Sequence, residues 1–386
     1  MNLIRGVWLG CLFAICLCGE GLAAPRSEVA GLVRQISRTN LETTVNRQIA
    51  FETRFMGSDS NTAASLWLKE TMEGFGYTDA RLDSFKVNIN RTLLGKRFIL
   101  NDLTQWNVVA TKPGLLYPDR QIVVGGHFDS ISLDRLQGDQ DFAPGADDNA
   151  SGVAAVLEIA RLIQDVDLDV TVVFAFWGAE ELGLIGSRHY ANAARDRENE
   201  ILLMLQLDVI GTRSTTFPEA FTIDTSSRYT SEGNLVADAA RDYTSIRARR
   251  STGEGVSISV SGCRCSDHQS FIDTGFPGVG VFQHIQNFAP HINRSTDTLD
   301  KVDFSLVEEV SKASLAAVLE AAGFPARTPD FDGDGEVGFL DFVAFAKMFD
   351  VLVEGDEEVR FDLDRDGFVG FSDFALFALN FGRRLK

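Results

Sequence analysis

The sequence predicts an α/β fold: a mostly parallel, mixed central sheet with helices on both faces, followed by a small all-α module. Three observations carry this. Near-continuous apolar, β-rich runs alternate with helical patterns through the middle of the chain, as expected of strands covered on both faces. Polar segments directly follow several of these runs, at the strand ends where such sheets bind ligands. An acidic motif repeats after residue 329, where the composition shifts. The 386 residues suffice for one large domain and a small one.

Taken in order, the first 24 residues read as an export signal. Arg5 supplies a positive start, residues 7–17 are apolar, and Gly21-Leu22-Ala23-Ala24 offers small residues for cleavage. Such a run is too short to cross a bilayer, which takes roughly 20 residues. The mature protein is therefore expected to be secreted or periplasmic, and no later stretch reads as a membrane span. Cys11, Cys16 and Cys18 leave with the signal, so Cys263 and Cys265 remain. They are a possible disulfide, although a two-residue spacing makes a tight ring and leaves a labile bond or two thiols as alternatives.

Residues 27–105 read as mostly helical, with an amphipathic stretch at 63–68 that ends at Gly74 and Gly76. Strands are expected at 107–110, 121–124, 170–177, 201–207 and 278–282, and helices at 151–163, 234–243 and 304–322. This domain spans 25–326. Arg327-Thr328-Pro329 is a linker candidate that opens the module, 327–386.

The chain carries 36 basic and 55 acidic side chains, a formal net charge of −19. That balance argues against a nucleic-acid surface, which needs stripes of Lys and Arg. It is compatible with a merely acidic, solvated surface or with carboxylates gathered in cation sites. The strand ends favour the second reading. Gly125-Gly126-His127-Phe128-Asp129-Ser130 follows one strand, and Pro144-Gly145-Ala146-Asp147-Asp148-Asn149-Ala150-Ser151-Gly152 precedes a helix. Gly178-Ala179-Glu180-Glu181-Leu182-Gly183 follows the next strand, and Leu205-Gln206-Leu207-Asp208 closes another. Each alone is commonly structural: a His-x-Asp, a helix cap, a solvated acidic loop. Four at one sheet edge would repel one another without cations. Imidazole with carboxylates suits Zn²⁺, and a shared carboxylate suits two metals about 3.5–4 Å apart.

These motifs, with the later Asp297-Thr298-Leu299-Asp300-Lys301-Val302, resemble the bacterial leucyl aminopeptidase family of co-catalytic di-zinc metallopeptidases, whose fold also hosts glutaminyl cyclases. The resemblance covers roughly 55–304. It implies that His127 and Asp208 hold one zinc, that Asp148 bridges both, that Glu181 holds the other, and that Glu180 is the general base. Asp129, two positions beyond His127 on an extended strand, faces the same side. Its expected role is to accept the imidazole N–H and fix the tautomer. The family places its last ligand, a His, four positions before Asp297, and here that position is Asn293. An amide oxygen is a poor zinc ligand beside imidazole. His291 is the tentative substitute; the alternative is a weakened or empty second zinc site. His268 reads as a pocket or packing residue.

In the module, 330–342 returns as 362–374, a period of 32 residues. Both copies read Asp-x-Asp-x-Asp-Gly with an acid at position 12, the spacing by which a loop wraps Ca²⁺ in oxygen ligands. The expected ligands are Asp330, Asp332, Asp334, Glu336 and Asp341 in the first loop, and Asp362, Asp364, Asp366, Phe368 and Asp373 in the second. Asp in place of Glu at position 12 resembles a dockerin-type module, which implies a cohesin-like scaffold as partner; an EF-hand-like stabilising appendage is the alternative. The function expected is that of a secreted zinc aminopeptidase acting on peptides with a free N-terminus. Its alternatives are a catalytically impaired binding protein and a glutaminyl cyclase-like enzyme.

Overall fold

The computed structural model describes residues 26–93, 95–134, 139–246, 257–259, 265–284, 289–325, 327–353 and 355–384. The export segment and Cys263 lie outside these residues. The described chain opens with helices α1 (Ser27–Val33), α2 (Arg38–Ile49) and α3 (Asp59–Gly74). Ser37 and Ser58 cap the second and third, their side chains accepting from the backbone N–H of Asn40 and Asn61.

Beyond α3 the helical expectation for 27–105 fails. Residues 81–112 form a long antiparallel pair, β1 (Arg81–Leu93) and β2 (Lys96–Lys112), in register from Arg81 opposite Val109 to Leu93 opposite Lys96. The reason is visible in β1, where Phe85, Val87 and Ile89 are buried between exposed neighbours. That two-residue period belongs to a strand. Gly95, at φ +86°, lets the pair turn.

The remaining elements are β3 (Tyr117–His127), α4 (Gly152–Ile163), β4 (Val170–Trp177), α5 (Ile185–Asp196), β5 (Glu200–Leu207), β6 (Phe221–Thr225), α6 (Thr230–Tyr243), β7 (Ser257–Ser259), α7 (His268–Thr274), β8 (Gly278–Gln283) and α8 (Phe304–Ala322). These eight strands form one sheet in the order β1-β2-β4-β3-β5-β8-β6-β7. Its centre, β4-β3-β5-β8, is parallel. β2 joins β4, and β6 joins β8, antiparallel.

Alternate residues feed opposite faces. Ile122, Val124, Val172, Phe174 and Phe176 pack with α2, α4, α6 and α8. Val123, Val173, Ala175 and Trp177 pack with Tyr190 of α5 and Phe271 of α7. The near-continuous apolar strands thus arise because both faces are buried. The β1–β2 pair reaches past the sheet, and Phe85, Val87 and Ile89 cover Ala179 and Leu182 in the turn after β4. Among the described residues, no helix is long and apolar enough to cross a membrane.

The C-terminal segment contains α9 (Phe339–Met348), β9 (Val351–Leu352), α10 (Asp356–Val359), β10 (Phe368–Val369) and α11 (Phe371–Asn380). It is not purely helical, since β9 and β10 pair antiparallel and link the two repeats. Phe331, Phe345, Phe361 and Phe377 form its core with Val337, Leu363 and Val369. The module contacts α1: the Ser27 N–H donates to the Arg365 carbonyl at 3.1 Å, and Arg327 ion-pairs with Glu28.

Candidate metal centre

Parallel pairing sets the site. His127, the last residue of β3, lies opposite Trp177, the last of β4, and Asp208 directly follows β5 on the other side of β3. The carboxyl ends of three adjacent strands therefore deliver the imidazole, the Glu180–Glu181 turn and Asp208 to one place. Asp148 arrives on the turn Ala146–Ser151 that leads into α4. That turn lies tight against its neighbours: a Cβ on Gly152 would stand 2.2 Å from the Leu207 carbonyl oxygen, and one on Gly145, at φ +53°, 2.3 Å from that of Asp148.

His127 Nε2 is 3.1 Å from Asp148 Oδ1 and 3.1 Å from Asp208 Oδ1. Glu180 Oε2 stands at 4.0 Å from the same nitrogen. Ligand atoms of His127, Asp148 and Asp208 lie within 4.8 Å of one another, as do those of His127, Glu180 and Glu181. Asp148, Asp208 and Glu180 are each less than a tenth exposed. They border a cleft of about 530 Å³ together with Glu181 and Asn293.

So many buried acids resist ionisation. Burial, reinforced by Asp267 and Asp208 against the opposing pull of His127, raises the Glu180 carboxyl well above its ordinary range. Burial, then Asp148 and Glu180, does the same to Glu181. Burial opposes protonation of His127, but the carboxylates of Asp208 and Glu180 prevail and raise it. A bound dication would relieve this mutual repulsion. One imidazole and two carboxylates converging on a point, with a cleft beside them, are the donor set of an open zinc site.

A frame of hydrogen bonds holds these groups, and little of it follows from the sequence. Asp129 differs from expectation. Its carboxylate accepts the backbone N–H of Glu180 at 3.0 Å and of Glu181 at 3.3 Å, and lies 3.7 Å from His127 Nδ1. The atom nearer to Nδ1 is the Asp129 backbone carbonyl, at 3.1 Å. Asp129 thus fixes the turn that carries both glutamates as well as flanking the imidazole.

Asp297 accepts the backbone N–H groups of Asp147 and Asp148, both at 2.9 Å. Asp147 accepts from Gly211 N at 2.7 Å and Thr212 Oγ1 at 2.6 Å, and Asn149 Oδ1 from Gly152 N and Val209 N. These bonds tie the Asp148 turn to the segment after Asp208. Beneath them, Arg54 is fully buried and donates to the carbonyls of Gln48, Phe128, Pro144 and Gly145. Burial lowers its pKa to about 10, partly opposed by Asp297, Asp129, Asp148 and Glu181, so it stays charged at neutral pH beside the carboxylates. Nothing in the sequence around Arg54 marks it. Asp147 and Asn149 lie inside a motif already singled out, but spacing does not reveal their partners.

The tentative substitute ligand needs correcting. His291 Nε2 lies 3.5 Å from Asp147 Oδ2 and 3.3 Å from Thr212 Oγ1, and is not among the groups that converge with Glu181. Instead Asn293 reaches Glu181: with its amide oriented by its partners, Nδ2 donates to Oε2 at 2.7 Å and Oε1 at 3.0 Å. Asn293 sits at φ +59°, so the segment turns there and is not extended. The two-residue alternation that would align His291 with Asn293 is lost. His268 is buried with Nε2 3.1 Å from Asp224 Oδ2 and takes no part in the cluster. Cys265 borders the cleft and is disulfide-bonded.

In the module, Asp330, Asp332 and Asp334 bring carboxylate oxygens together, as do Asp362, Asp364 and Asp373. Asp341 and Asp373, at position 12 of each loop, also accept the N–H of Gly338 and Gly370 at 2.7 Å, capping the helices that follow.

Residues 107–318 match the model of peptidase family M28. A probable leucine aminopeptidase of Arthroderma otae is 27% identical over 307 residues, covering 77% of this chain and 75% of that protein. A probable zinc metalloprotease of Pyrenophora teres f. teres is 26% identical over 340 residues, covering 78% and 70%. Among solved structures, the LapA aminopeptidase of Legionella pneumophila superposes with a TM-score of 0.59 at 24% identity, covering 80% and 79%. BSAP, a zinc aminopeptidase from Bacillus subtilis, superposes with a TM-score of 0.61 at 16% identity, covering 74% and 95%. The family match takes in Asp148, Glu180, Glu181, Asp208 and His127 alike, and the chain belongs to peptidase family M28.

Proposed function

We propose that this protein is a zinc-dependent aminopeptidase that hydrolyses N-terminal residues from peptides. The observation that carries the reading is the convergence of His127, Asp148 and Asp208 at 3.1 Å contacts, with Glu180 a further 1 Å or so back on the same cleft. His127, Asp148 and Asp208 would hold zinc, with Asp148 turned also toward Glu181. Bound there, zinc would lower the pKa of a water ligand to about 7 and polarise a carbonyl.

The chain supplies the remainder. Glu180 accepts the proton of the attacking water and returns it to the leaving amine. Asp129, through the backbone N–H groups of Glu180 and Glu181, holds both glutamates in place. The acidic floor of the cleft attracts the free ammonium of the substrate. Glutamine at 180 keeps the shape but cannot take the proton. Leucyl-anilide hydrolysis by Glu180→Gln should therefore fall about 10²–10⁴-fold with zinc content unchanged. Undiminished hydrolysis would overturn the mechanism.

On the Glu181 side, Asp148 and Glu181 offer only oxygens and Asn293 turns its amide nitrogen toward Glu181, and we infer a weaker second metal position. Export by the segment 1–24 belongs to the same proposal, as does a disulfide between Cys263 and Cys265. Calcium is proposed for both acidic loops of the module, with Glu336 and Phe368 contributing through their carbonyls at position seven. The exposed Phe339, Leu340 and Phe371 support a docking role toward a cohesin-like scaffold.

A further inference from the structure

The cleft has an unusual rim for so acidic a protein. Its floor is acidic: Asp148, Glu180, Glu181 and Asp208. Its walls are partly apolar, from Leu93, Leu184, Val209 and Phe282. Two guanidinium groups complete the lining, Arg91 near the end of β1 and Arg188 on the first turn of α5. Both are exposed. Arg91 Nη1 donates to the Leu182 carbonyl at 3.1 Å, which ties the guanidinium to the turn that bears Glu180 and Glu181. Among the described residues neither arginine is ion-paired with a carboxylate. More than half of the other described arginines are. Arg38, Arg120, Arg161, Arg213 and Arg241 all pair with acids at 3.1 Å or less.

Two exposed arginines that line one cleft, with no carboxylate partner among the described residues, have charge to offer a ligand. From these positions we infer that Arg91 and Arg188 determine specificity by receiving a carboxylate of the peptide beyond the bond being cut. This deepens the aminopeptidase reading and rests on it. The substrate's ammonium goes to the acidic floor and its first side chain to the apolar wall. The peptide's leaving portion must then run toward the mouth, where the arginines stand. Arginine suits the task because its planar fork meets a carboxylate in two parallel hydrogen bonds. The carboxylate has two sources, the C-terminus of a short peptide or an acidic side chain in the residue after the cut.

The test compares kcat/KM for Leu-Gly with Leu-Gly-amide, and for Leu-Asp-amide with Leu-Asn-amide, in the full-length zinc-loaded protein. Two exposed ion pairs predict a preference of about two- to thirtyfold for the charged member of at least one couple. The preference should reside mainly in KM and shrink as salt rises. The first couple reports a C-terminal carboxylate and the second an acidic side chain. In Arg188→Gln and Arg91→Gln, each a polar exchange at an exposed position, the ratio should fall toward one, and furthest in the double variant. Equal turnover within both couples in the wild type, or a ratio untouched in the double variant, would overturn the inference alone. No turnover of any leucyl substrate would overturn it together with the aminopeptidase reading.

Discussion

Replacing Arg54 by lysine tests whether the metal centre depends on a support that no motif reveals. The guanidinium spans three stretches of chain: Nε donates to Phe128 O at 2.7 Å, Nη1 to Pro144 O at 2.6 Å and Gln48 O at 3.2 Å, and Nη2 to Gly145 O at 2.9 Å. Lysine keeps the charge but brings its donors to a single point, so it cannot reach carbonyls on opposite sides of the fork. At least two of the four bonds should be lost. Each hydrogen bond to a charged group contributes about 1.5–3 kcal/mol, giving a destabilisation of about 3–6 kcal/mol. For a domain of about 300 residues, that corresponds to a fall in Tm of roughly 5–10 °C. The assay is urea and thermal unfolding of wild type and Arg54→Lys with chelator present, because bound metal stabilises the folded state by mass action. A variant within about 1 kcal/mol of wild type would refute the reasoning. It would mean that the four carbonyls find other partners at little cost.

Three further outcomes are expected. Asn293→His places an imidazole beside Glu181, so zinc retained after dialysis, measured by elemental analysis, should rise from about one to about two per chain; two in the wild type would show that the amide is no handicap. Asp134 is held at a pKa of about 2, chiefly by hydrogen bonds from the Ser295 side chain and backbone. Its unfolded value is about 3.9, so its stabilisation is present above that pH and lost as the pH falls toward 2. Asp134→Asn should cost about 1–2 kcal/mol at pH 6, and a denaturation gap that does not narrow below pH 4 would contradict this. Calcium should raise the unfolding temperature of the full chain, and Asp341→Ala with Asp373→Ala should abolish the shift; an unchanged shift in the double variant would assign the ion elsewhere.

Charge and shape complement one another in this protein. Carboxylates stand at the floor of the cleft where three strands end, and Arg54 lies fully buried beneath them. The floor acids concentrate negative charge, while Asp129, Asn149 and Asp297 bond backbone groups and Asp147 bonds the Gly211 N–H and the Thr212 hydroxyl. Asp297→Asn and Asp129→Asn would weaken this support, and Asp129→Asn would also remove a charge that helps to raise the pKa of Glu180 and Glu181.

The sequence by itself marked the strands of the sheet centre, the helices α4, α6 and α8 on one face, and the segments that carry His127, Asp148, Glu180, Glu181 and Asp208; α5 and α7, which cover the other face, it left unmarked. It could do so because a doubly buried strand is apolar throughout and the polar residue that breaks the run marks its end. It misread 81–105, where alternation in β1 was masked by polar residues that face solvent on a hairpin extending beyond the sheet. It also placed His291 beside the centre, because spacing assumes an extended chain and Asn293 turns at φ +59°. Only the tertiary structure decided the identity of the groups around the ligands: Arg54 under the floor, Asp297 on the Asp148 turn, Arg91 and Arg188 at the mouth. The physical reason is that a ligand set repeats along local strand geometry, whereas its supports are hydrogen bonds between residues some 50 to 150 positions apart. No local pattern encodes such a pairing; it exists once the strands are in register.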